Sequence, residues 1–328
     1  MDFLFISHLD SDHVSLVETL ASSVKRINSI VLPLLTEEDL IIAMTCHKIS
    51  GNTAVVRFIK RIIDHLRGQY RNDYTRGDYT ILFVGDQDLD NGHSQIWRNG
   101  ERKTLAWAPD WILMPHNVGY ASHKQDLIGQ FNNVVNDRAF INAIQSLGVA
   151  QIKTGDELYE KLKDESFVES VLKDRLLKLA IKKAYENISG GINKNSLLLY
   201  SGPANGAHQY NVVRSAPYGR RLWYGLFESG CLYTGDNDCN LSEWKDSLFS
   251  SVWDKIWTIQ LPHHGSLKSF DIDANPIDRS YCFPVSCGSD NGFGHPSGKV
   301  LSYLLVNDCK PVIVTEMANT IFMQVIRG

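Results

Sequence analysis

The chain has 328 residues, a formal net charge of −4 and 43% apolar residues. This length is enough for one large domain or two ordinary ones with a substantial core. No run approaches the roughly 18 to 20 apolar residues that a membrane helix needs, and the charge by itself does not indicate a nucleic-acid-binding protein. The start lacks a basic leader and a signal-length apolar stretch, and the six cysteines form no C-x-x-C pair. We therefore expect a cytoplasmic protein with reduced thiols and no membrane association.

The first elements predict α/β layering. Residues 2–6 and 28–32 are rich in β-branched or large apolar side chains and are typical of short buried strands. Between them the apolar spacing predicts a helix that begins near Val14 and carries Leu16, Val17, Leu20 and Val24 on one face. A strand, a polar loop, a helix and a second strand in this order are typical of an α/β protein.

The middle of the chain changes character twice. Residues 68–121 are rich in Gly, Asp, Asn and Trp and contain one clear strand pattern, at 79–85. From about residue 123 the pattern becomes helical, and Thr154 with Glu157 has the spacing of a capping box. The apolar stripe that follows consists of Leu158, Leu162, Val168, Leu172, Leu176 and Leu179. A helical region ending near Gly190 is predicted.

Strand-like runs return after Gly191 in quick succession. They read SLLLYSG, RLWYGLFESGCLYTGD, KIWTIQLPHH, YCFPVSCG and PVIVTEM. Each run ends in polar or glycine residues, and loops at strand ends are where α/β proteins commonly carry active-site residues.

Two stretches are locally basic. They contain Arg57, Lys60, Arg61, Arg67 and Arg71 in one case, and Arg214, Arg220 and Arg221 in the other. Solvated helix and loop faces explain such stretches, and so does a surface that contacts phosphates.

Four clusters of chemically active residues follow strand-like runs. They are SHLDSDH (7–13), LYTGD (232–236), LPHHGS (261–266) and PVSCGSDNGFGHPS (284–297). Taken alone, Asp236 fits a turn and adjacent histidines fit opposite faces of a strand. Taken together, the histidines and aspartates have the types and number that a pair of bridged divalent ions needs. The other histidines of the middle region, His47, His65, His93, His116 and His123, lack ligand spacing and are interpreted as structural or exposed.

This ordered set resembles the metallo-β-lactamase superfamily, and in particular the branch that contains the hydrolase domain of the DNA-uptake protein ComEC. That branch carries H-x-D-x-D-H, an N-S-L-x-L strand, L-x-T-G-D, H-H-G-S and S-x-G-x-x-N-x-x-G-H-P. The resemblance covers about residues 1–45 and 191–328. It implies an αββα sandwich that lacks the usual first strands and has a large, mostly helical insertion, with core segments at 1–46 and 191–328 and the insertion at 47–190.

The resemblance also implies a ligand set for two divalent metal ions, zinc or manganese. His8 and Asp10 would hold one ion, Asp12, His13 and His263 the other, and Asp236 would bridge them. Asp12, His264 and His295 are the predicted catalytic residues, with one of the two histidines protonating the leaving oxygen or contacting a phosphate. The histidine that many members place before the G-D motif has no counterpart here, which leaves the first ion with few ligands.

Three functions fit these features. The first is a phosphodiesterase, most plausibly a nuclease, that uses metal-activated water on nucleic acid or another phosphodiester. The second is a hydrolase of small esters, because this superfamily reuses one site for many substrates. The third is a component of a larger defence or DNA-handling assembly, in which a protein partner completes the sheet at the N-terminal strand.

Overall fold

The computed structural model describes residues 1–69, 79–86, 95–117, 120–187, 196–205, 210–216, 219–225, 228–317 and 320–326. The chain forms two compact units, which we call the first unit (Met1–Trp97 with Asn117–Asn195) and the second unit (Arg98–His116 with Ser196–Gly328). The predicted boundary between residues 46 and 47 falls inside a helix of the first unit, so the residues on its two sides belong to one compact body.

A parallel sheet organises the first unit. Its strands are β1 (Phe3–Phe5), β2 (Ser29–Pro33), β3 (Thr80–Val84) and β4 (Gln95–Trp97), adjacent in that order. The first three were predicted and are confirmed. Parallel neighbours need crossover connections, and helices supply two of them: α1 (Ser11–Val14) with α2 (Val17–Ser23), and α3 (Glu37–Ser50) with α4 (Thr53–Leu66). β1 lies at one edge of this sheet, and a partner strand there stays a prediction.

The helix predicted after the first strand is divided in two. Asp10 caps α1 at Ser11, so helical structure begins earlier than expected, and Leu16 lies between α1 and α2. Val14 and Val17 are buried in the core beneath the sheet, but the side chain of Leu16 is 69% exposed. The predicted apolar face was wrong at Leu16 because the break in the helix turns this residue to solvent.

The predicted helical region is confirmed. It comprises α5 (Tyr120–Val135), α6 (Arg138–Ser146), α7 (Gly155–Lys161), α8 (Glu165–Lys173) and α9 (Arg175–Glu186). Thr154 caps α7 by accepting a hydrogen bond from the Glu157 amide. Asp164 and Asp174 cap α8 and α9 in the same way, and each cap starts a new helix axis. As a result the predicted stripe does not continue: Leu176 and Leu179 are exposed, while Leu177 and Ile181 are buried.

Helix α3 belongs to two hydrophobic cores of the first unit. Its Thr36 cap and Asp39 form a capping box, and Gly51 ends the helix in a left-handed conformation. Leu40 packs in the core with the sheet strands, whereas Ile42 and Cys46 pack in the core formed with α5 to α9. One helix therefore connects the sheet to the helical region.

The second unit contains a mixed sheet and a small antiparallel sheet. The seven-stranded sheet has the order β13-β12-β11-β10-β7-β6-β5, with β10 to β13 parallel and β7 antiparallel to β10. These strands are β5 (Lys103–Leu105), β6 (Ala108–Asn117), β7 (Leu197–Pro203), β10 (Gly230–Tyr233), β11 (Ile256–Ile259), β12 (Cys282–Ser286) and β13 (Lys310–Val314). β8 (Tyr210–Ala216), β9 (Gly219–Gly225) and β14 (Ile321–Ile326) form the second sheet, in the order β14-β8-β9.

Two helices of the second unit, α10 (Leu241–Glu243) and α11 (Gly298–Val306), connect strands of the larger sheet. The strands β4, β5, β6, β8 and β14 were not predicted. Short length hides β4 and β5, and polar residues and prolines interrupt the pattern of β6. All six cysteines are free thiols. Among the described helices, none combines the length and the apolar character needed to cross a bilayer. The chain is an α/β protein with parallel and mixed sheets, and its cytoplasmic location stays a prediction.

Candidate metal centre

The motif loop of the first unit follows the carboxyl end of β1. The Ile6 amide donates a hydrogen bond to the Val31 carbonyl, so the loop leaves the sheet directly after a paired residue. Crevices at the carboxyl ends of parallel strands are common ligand sites in open α/β sheets. Four predicted site residues, His8, Asp10, Asp12 and His13, lie in this loop and in the helical turn after it.

Ser7 supports the two histidines of the motif. Its Oγ lies 3.1 Å from Nδ1 of His8 and 3.1 Å from Nδ1 of His13, and the two ring centroids are 4.0 Å apart. A hydroxyl donates one proton and has two acceptor lone pairs, so Ser7 can hold both rings at once. Outer partners of this kind orient histidines that bind metals. His8 is only 3% exposed, which keeps its ring in one place.

Asp10 has a local structural task in addition to its predicted ligand role. Its Oδ1 accepts a hydrogen bond of 2.7 Å from the Ser11 amide and caps α1, while its carbonyl accepts from the amides of His13 and Val14. The cap creates the turn of helix that presents Asp12 and His13. A carboxylate has two oxygens, and the cap bond occupies a site on one of them.

The motif loop brings three predicted ligands together. Ligand atoms of His8, Asp10 and Asp12 all lie within 4.8 Å of one another. Two ligands about 2.1 Å from one ion are at most about 4.2 Å apart, so small side-chain rotations suffice for a common ion. Asp12 Oδ2 is also 3.5 Å from His13 Nε2. The donor set of nitrogen and carboxylate oxygen fits zinc or manganese. Asp12, expected to bind the same ion as His13, is thus also close to His8 and Asp10.

The second unit holds the other four predicted residues at the ends of three strands. Asp236 follows β10 and is 7% exposed, and its Oδ2 is 3.9 Å from Nε2 of His263, which lies just beyond β11. The His263 amide donates to the Gly235 carbonyl, which joins the two loops. His263 Nδ1 lies 3.1 Å from the Ser269 hydroxyl, and Ser269 itself is buried.

The backbone at the two adjacent histidines has an unusual conformation. His263, His264 and Gly265 have φ values of 46°, 55° and 77°. Non-glycine residues seldom adopt positive φ, and such strain persists only where the surroundings impose it. At Gly265 a Cβ atom would lie 2.7 Å from Pro296 Cβ and 2.9 Å from Leu261 Cδ2, so only glycine fits. The left-handed backbone at these three residues gives the side chains of His263 and His264 directions that neither a strand nor a right-handed helix allows.

His264 and His295 lie beside His263 in different ways. His264 Nδ1 is 2.7 Å from the Ser286 carbonyl, an acceptor, so Nδ1 donates this hydrogen bond. The His295 ring is 6.0 Å from the His263 ring. Burial lowers the pKa of His295, the neighbouring imidazoles of His263 and His264 lower it further, and Asp236 opposes them.

One residue near the motif was not predicted to matter. His47 on α3 is buried, and burial lowers its pKa while the Asp10 carboxylate and the Leu9 backbone raise it. Asn52 Nδ2 lies 3.2 Å from His47 Nδ1, so the amide donates there and the ring proton resides on Nε2. His47 therefore contributes to the surroundings of Asp10. Its sequence position carried no signal, because it lies on a helix far along the chain from the motif.

The remaining histidines of the middle region fit a structural role where they are described. His65 stacks on Tyr79 and His116 packs edge-on against Phe249. His93 lies outside the described residues, and so does the side chain of His123.

The basic stretch on α4 is largely paired with acidic residues. Glu18 lies 3.5 Å from Arg57 and 3.4 Å from Arg61, and Glu37 lies 2.7 Å from Arg67. These pairs favour the interpretation of α4 as a solvated face and reduce its attraction for phosphates. Arg71 and the side chains of Arg214, Arg220 and Arg221 lie outside the described part of the chain.

Comparisons with protein-family models, curated proteins and solved structures find no match to this chain.

Proposed function

We propose that this protein is a metal-dependent hydrolase that cleaves phosphodiesters, with nucleic acid as its substrate. The observation that supports the proposal best is the convergence of His8, Asp10 and Asp12, whose ligand atoms lie within 4.8 Å of one another at the carboxyl end of β1. A second support is the pair of Asp236 and His263 beyond β10 and β11. The strained backbone at His263 and His264 is a cost of the kind that proteins accept at functional sites.

We propose, as the resemblance to the metallo-β-lactamase superfamily implies, that the predicted ligands form one dinuclear set. The same resemblance implies that the fold is an αββα sandwich. His8, Asp10, Asp12, His13, Asp236 and His263 would hold two divalent ions, zinc or manganese. When bound, such ions supply Lewis acidity and lower the pKa of water so that it can attack phosphorus.

The residues of the chain have separable tasks in this proposal. Ser7 and Ser269 orient the ligand histidines through their Nδ1 atoms. His264 is held by the Ser286 carbonyl at Nδ1 and presents Nε2, the atom that would exchange a proton with the leaving oxygen. His295 would contact a phosphate oxygen, since its loop is fixed beside His263. Asp12, between His8 and His13, would keep the attacking water in line with the phosphorus.

Metal content and cleavage test the proposal together. The parent and Asp12→Asn are assayed for bound zinc and manganese, and for hydrolysis of single- and double-stranded DNA, RNA and bis-p-nitrophenyl phosphate. Asp156→Asn, at an exposed carboxylate in the first turn of α7, is the matched control. We expect Asp12→Asn to lose metal and at least about 100-fold in kcat/KM, and the control to behave like the parent.

The outcomes separate the alternatives. A parent that binds neither ion and hydrolyses no diester contradicts the proposal. Hydrolysis of bis-p-nitrophenyl phosphate without cleavage of any nucleic acid would replace the nuclease with a small-ester hydrolase. Cleavage that Asp12→Asn leaves intact would contradict the assignment of the site.

A further inference from the structure

Phe293 is a large aromatic residue that the proposed chemistry does not use. It lies on the loop between β12 and α11 and is 85% exposed. Its ring is nearly parallel to the ring of His295, with an interplanar angle of 15° and centroids 6.2 Å apart. His295 in turn lies 6.0 Å from the proposed ligand His263. The exposed aromatic ring thus stacks on a histidine that is itself a neighbour of the ligand His263.

The loop that carries Phe293 is held by specific hydrogen bonds. Asn291 Nδ2 donates 2.8 Å bonds to the carbonyls of Gly288 and His295, and Asn291 Oδ1 accepts from the His295 amide at 2.9 Å. On the other side, Ser289 bonds to Glu316 through its hydroxyl and its amide. Asn291 thus fixes the backbone on both sides of Phe293. The exposure of Phe293 is a consequence of this ordered loop, which directs the ring outward.

We propose that Phe293 is a stacking platform for a nucleobase of the substrate, adjacent to the phosphodiester that is cleaved. This inference rests on the proposed function and names the group that the site would recognise. An exposed ring offers a flat apolar face, and base-aromatic stacking tolerates any base because every base has a π-face. The side chain has no hydrogen-bonding group, so it would select for the presence of a base and not for its identity.

The same geometry points to single-stranded nucleic acid. In a duplex the neighbouring base pairs cover both faces of each base, and exposing a face costs unstacking. The formal net charge of −4 gives no overall attraction for a polyanion, and the basic side chains of Arg57 and Arg61 are paired with Glu18. Stacking would therefore carry a large share of the affinity, and binding would depend weakly on salt concentration.

The test compares an oligonucleotide with the same backbone made of abasic residues. Phe293→Ala, Phe293→Trp and the parent are assayed on both strands, with Trp107→Ala as the matched control because Trp107 is a 73% exposed aromatic side chain in the turn between β5 and β6. Loss of stacking at about 1 to 3 kcal/mol per base corresponds to a fall of about 5- to 150-fold in kcat/KM. We expect that fall in kcat/KM for Phe293→Ala on the base-containing strand, mainly through a higher KM. On the abasic strand kcat/KM should not change, and Phe293→Trp should have the kcat/KM of the parent on both strands.

A binding measurement gives a readout independent of cleavage. A cleavage-resistant phosphorothioate oligonucleotide that carries 2-aminopurine reports stacking by its fluorescence. We expect the parent and Phe293→Trp to change this fluorescence, Phe293→Ala to leave it unchanged, and Trp107→Ala to match the parent.

The remaining outcomes contradict either the stacking role of Phe293 or the proposed function. Equal losses on the two strands would make Phe293 a structural residue, and no loss on either would exclude the stacking role. If the parent cleaves neither strand, the proposed function fails, and the fluorescence then decides the stacking role separately: an unchanged signal with the parent would overturn it as well.

Discussion

In the first unit the four predicted site residues lie within six consecutive positions, in one loop and the helical turn after it, whereas in the second unit they come from three loops at the ends of β10, β11 and β12. The first set is positioned by local bonds, the Ser7 hydroxyl and the Asp10 cap, with the residues in ordinary backbone conformations. The second set needs left-handed backbone at His263 and His264 and a glycine that nothing larger can replace. The compact set is therefore positioned by local hydrogen bonds, whereas the dispersed set also requires strained backbone at His263 and His264 and close packing at Gly265.

The largest effect on stability is expected at Gly265. Gly265→Ala places a methyl group 2.7 Å from Pro296 Cβ at a φ of 77°, so both a clash and backbone strain oppose it. We expect a loss of about 2 to 4 kcal/mol in the free energy of unfolding, measured by urea denaturation. Gly292→Ala is the control, because a Cβ atom there has no neighbour within 4 Å, and its effect should stay within about 0.5 kcal/mol. If Gly265→Ala and Gly292→Ala lower the free energy of unfolding equally, the clash and the backbone strain at Gly265 do not distinguish the two sites.

The supporting serines should differ in their effect on metal affinity. Ser7→Ala removes the partner of two histidine rings, whereas Ser269→Ala removes the partner of one. Loss of an outer partner costs about 10- to 100-fold in metal affinity, so Ser7→Ala should lie near the upper end and Ser269→Ala near the lower. Competition with a chromogenic chelator measures both. A larger loss for Ser269→Ala would reverse the comparison.

The stability of the first unit should depend on pH through His47. Burial lowers its pKa below the ordinary value of 6.5, so the unfolded chain binds the proton more readily than the folded chain. The resulting stability is fully present above pH 6.5 and is lost as the pH falls from 6.5 toward the folded pKa, by at most about 1.4 kcal/mol per pH unit. In the metal-free protein, the free energy of unfolding from urea denaturation should decline less steeply for His47→Gln than for the parent between pH 7.5 and 5.5. A decline as steep as in the parent would assign the dependence to other groups.

The smallest effect separates the two tasks of Asp10. Asp10→Ala removes the cap of α1 and should cost about 1 kcal/mol in the metal-free protein, because the Ser11 amide loses its acceptor. Asp10→Asn retains a capping oxygen and should cost less than about 0.5 kcal/mol. Both variants should weaken metal binding, measured by calorimetry, since neither offers a carboxylate. If Asp10→Asn binds metal like the parent, Asp10 is a cap and not a ligand.

The sequence predicted the parts of this protein that depend on short patterns. The strands β1, β2 and β3 and the helical region with its Thr154 cap follow from spacing within a few residues. The motif was expected to divide between two ions, with Asp12 beside His13, whereas ligand atoms of Asp12 also lie near those of His8 and Asp10. The broken helix at Leu16 was not predicted, because the apolar spacing carries no signal for the cap that Asp10 forms at Ser11. The place of His47 near Asp10 and the positive φ at His264 depend on residues distant in sequence, and no local pattern reports them.

Helix α3 has one more consequence. Its Leu40 packs with the sheet strands and its Ile42 and Cys46 with the helices α5 to α9. Removing α5 to α9 would expose one face of α3 and leave its apolar residues Ile42 and Cys46 in water. This helix packs against the strands that carry the motif loop. We therefore expect deletion or exchange of α5 to α9 to destabilise the first unit. Evolution or engineering that alters these helices must compensate on α3 at the same time, and hydrogen exchange should show the strands and the helices opening together as one foldon.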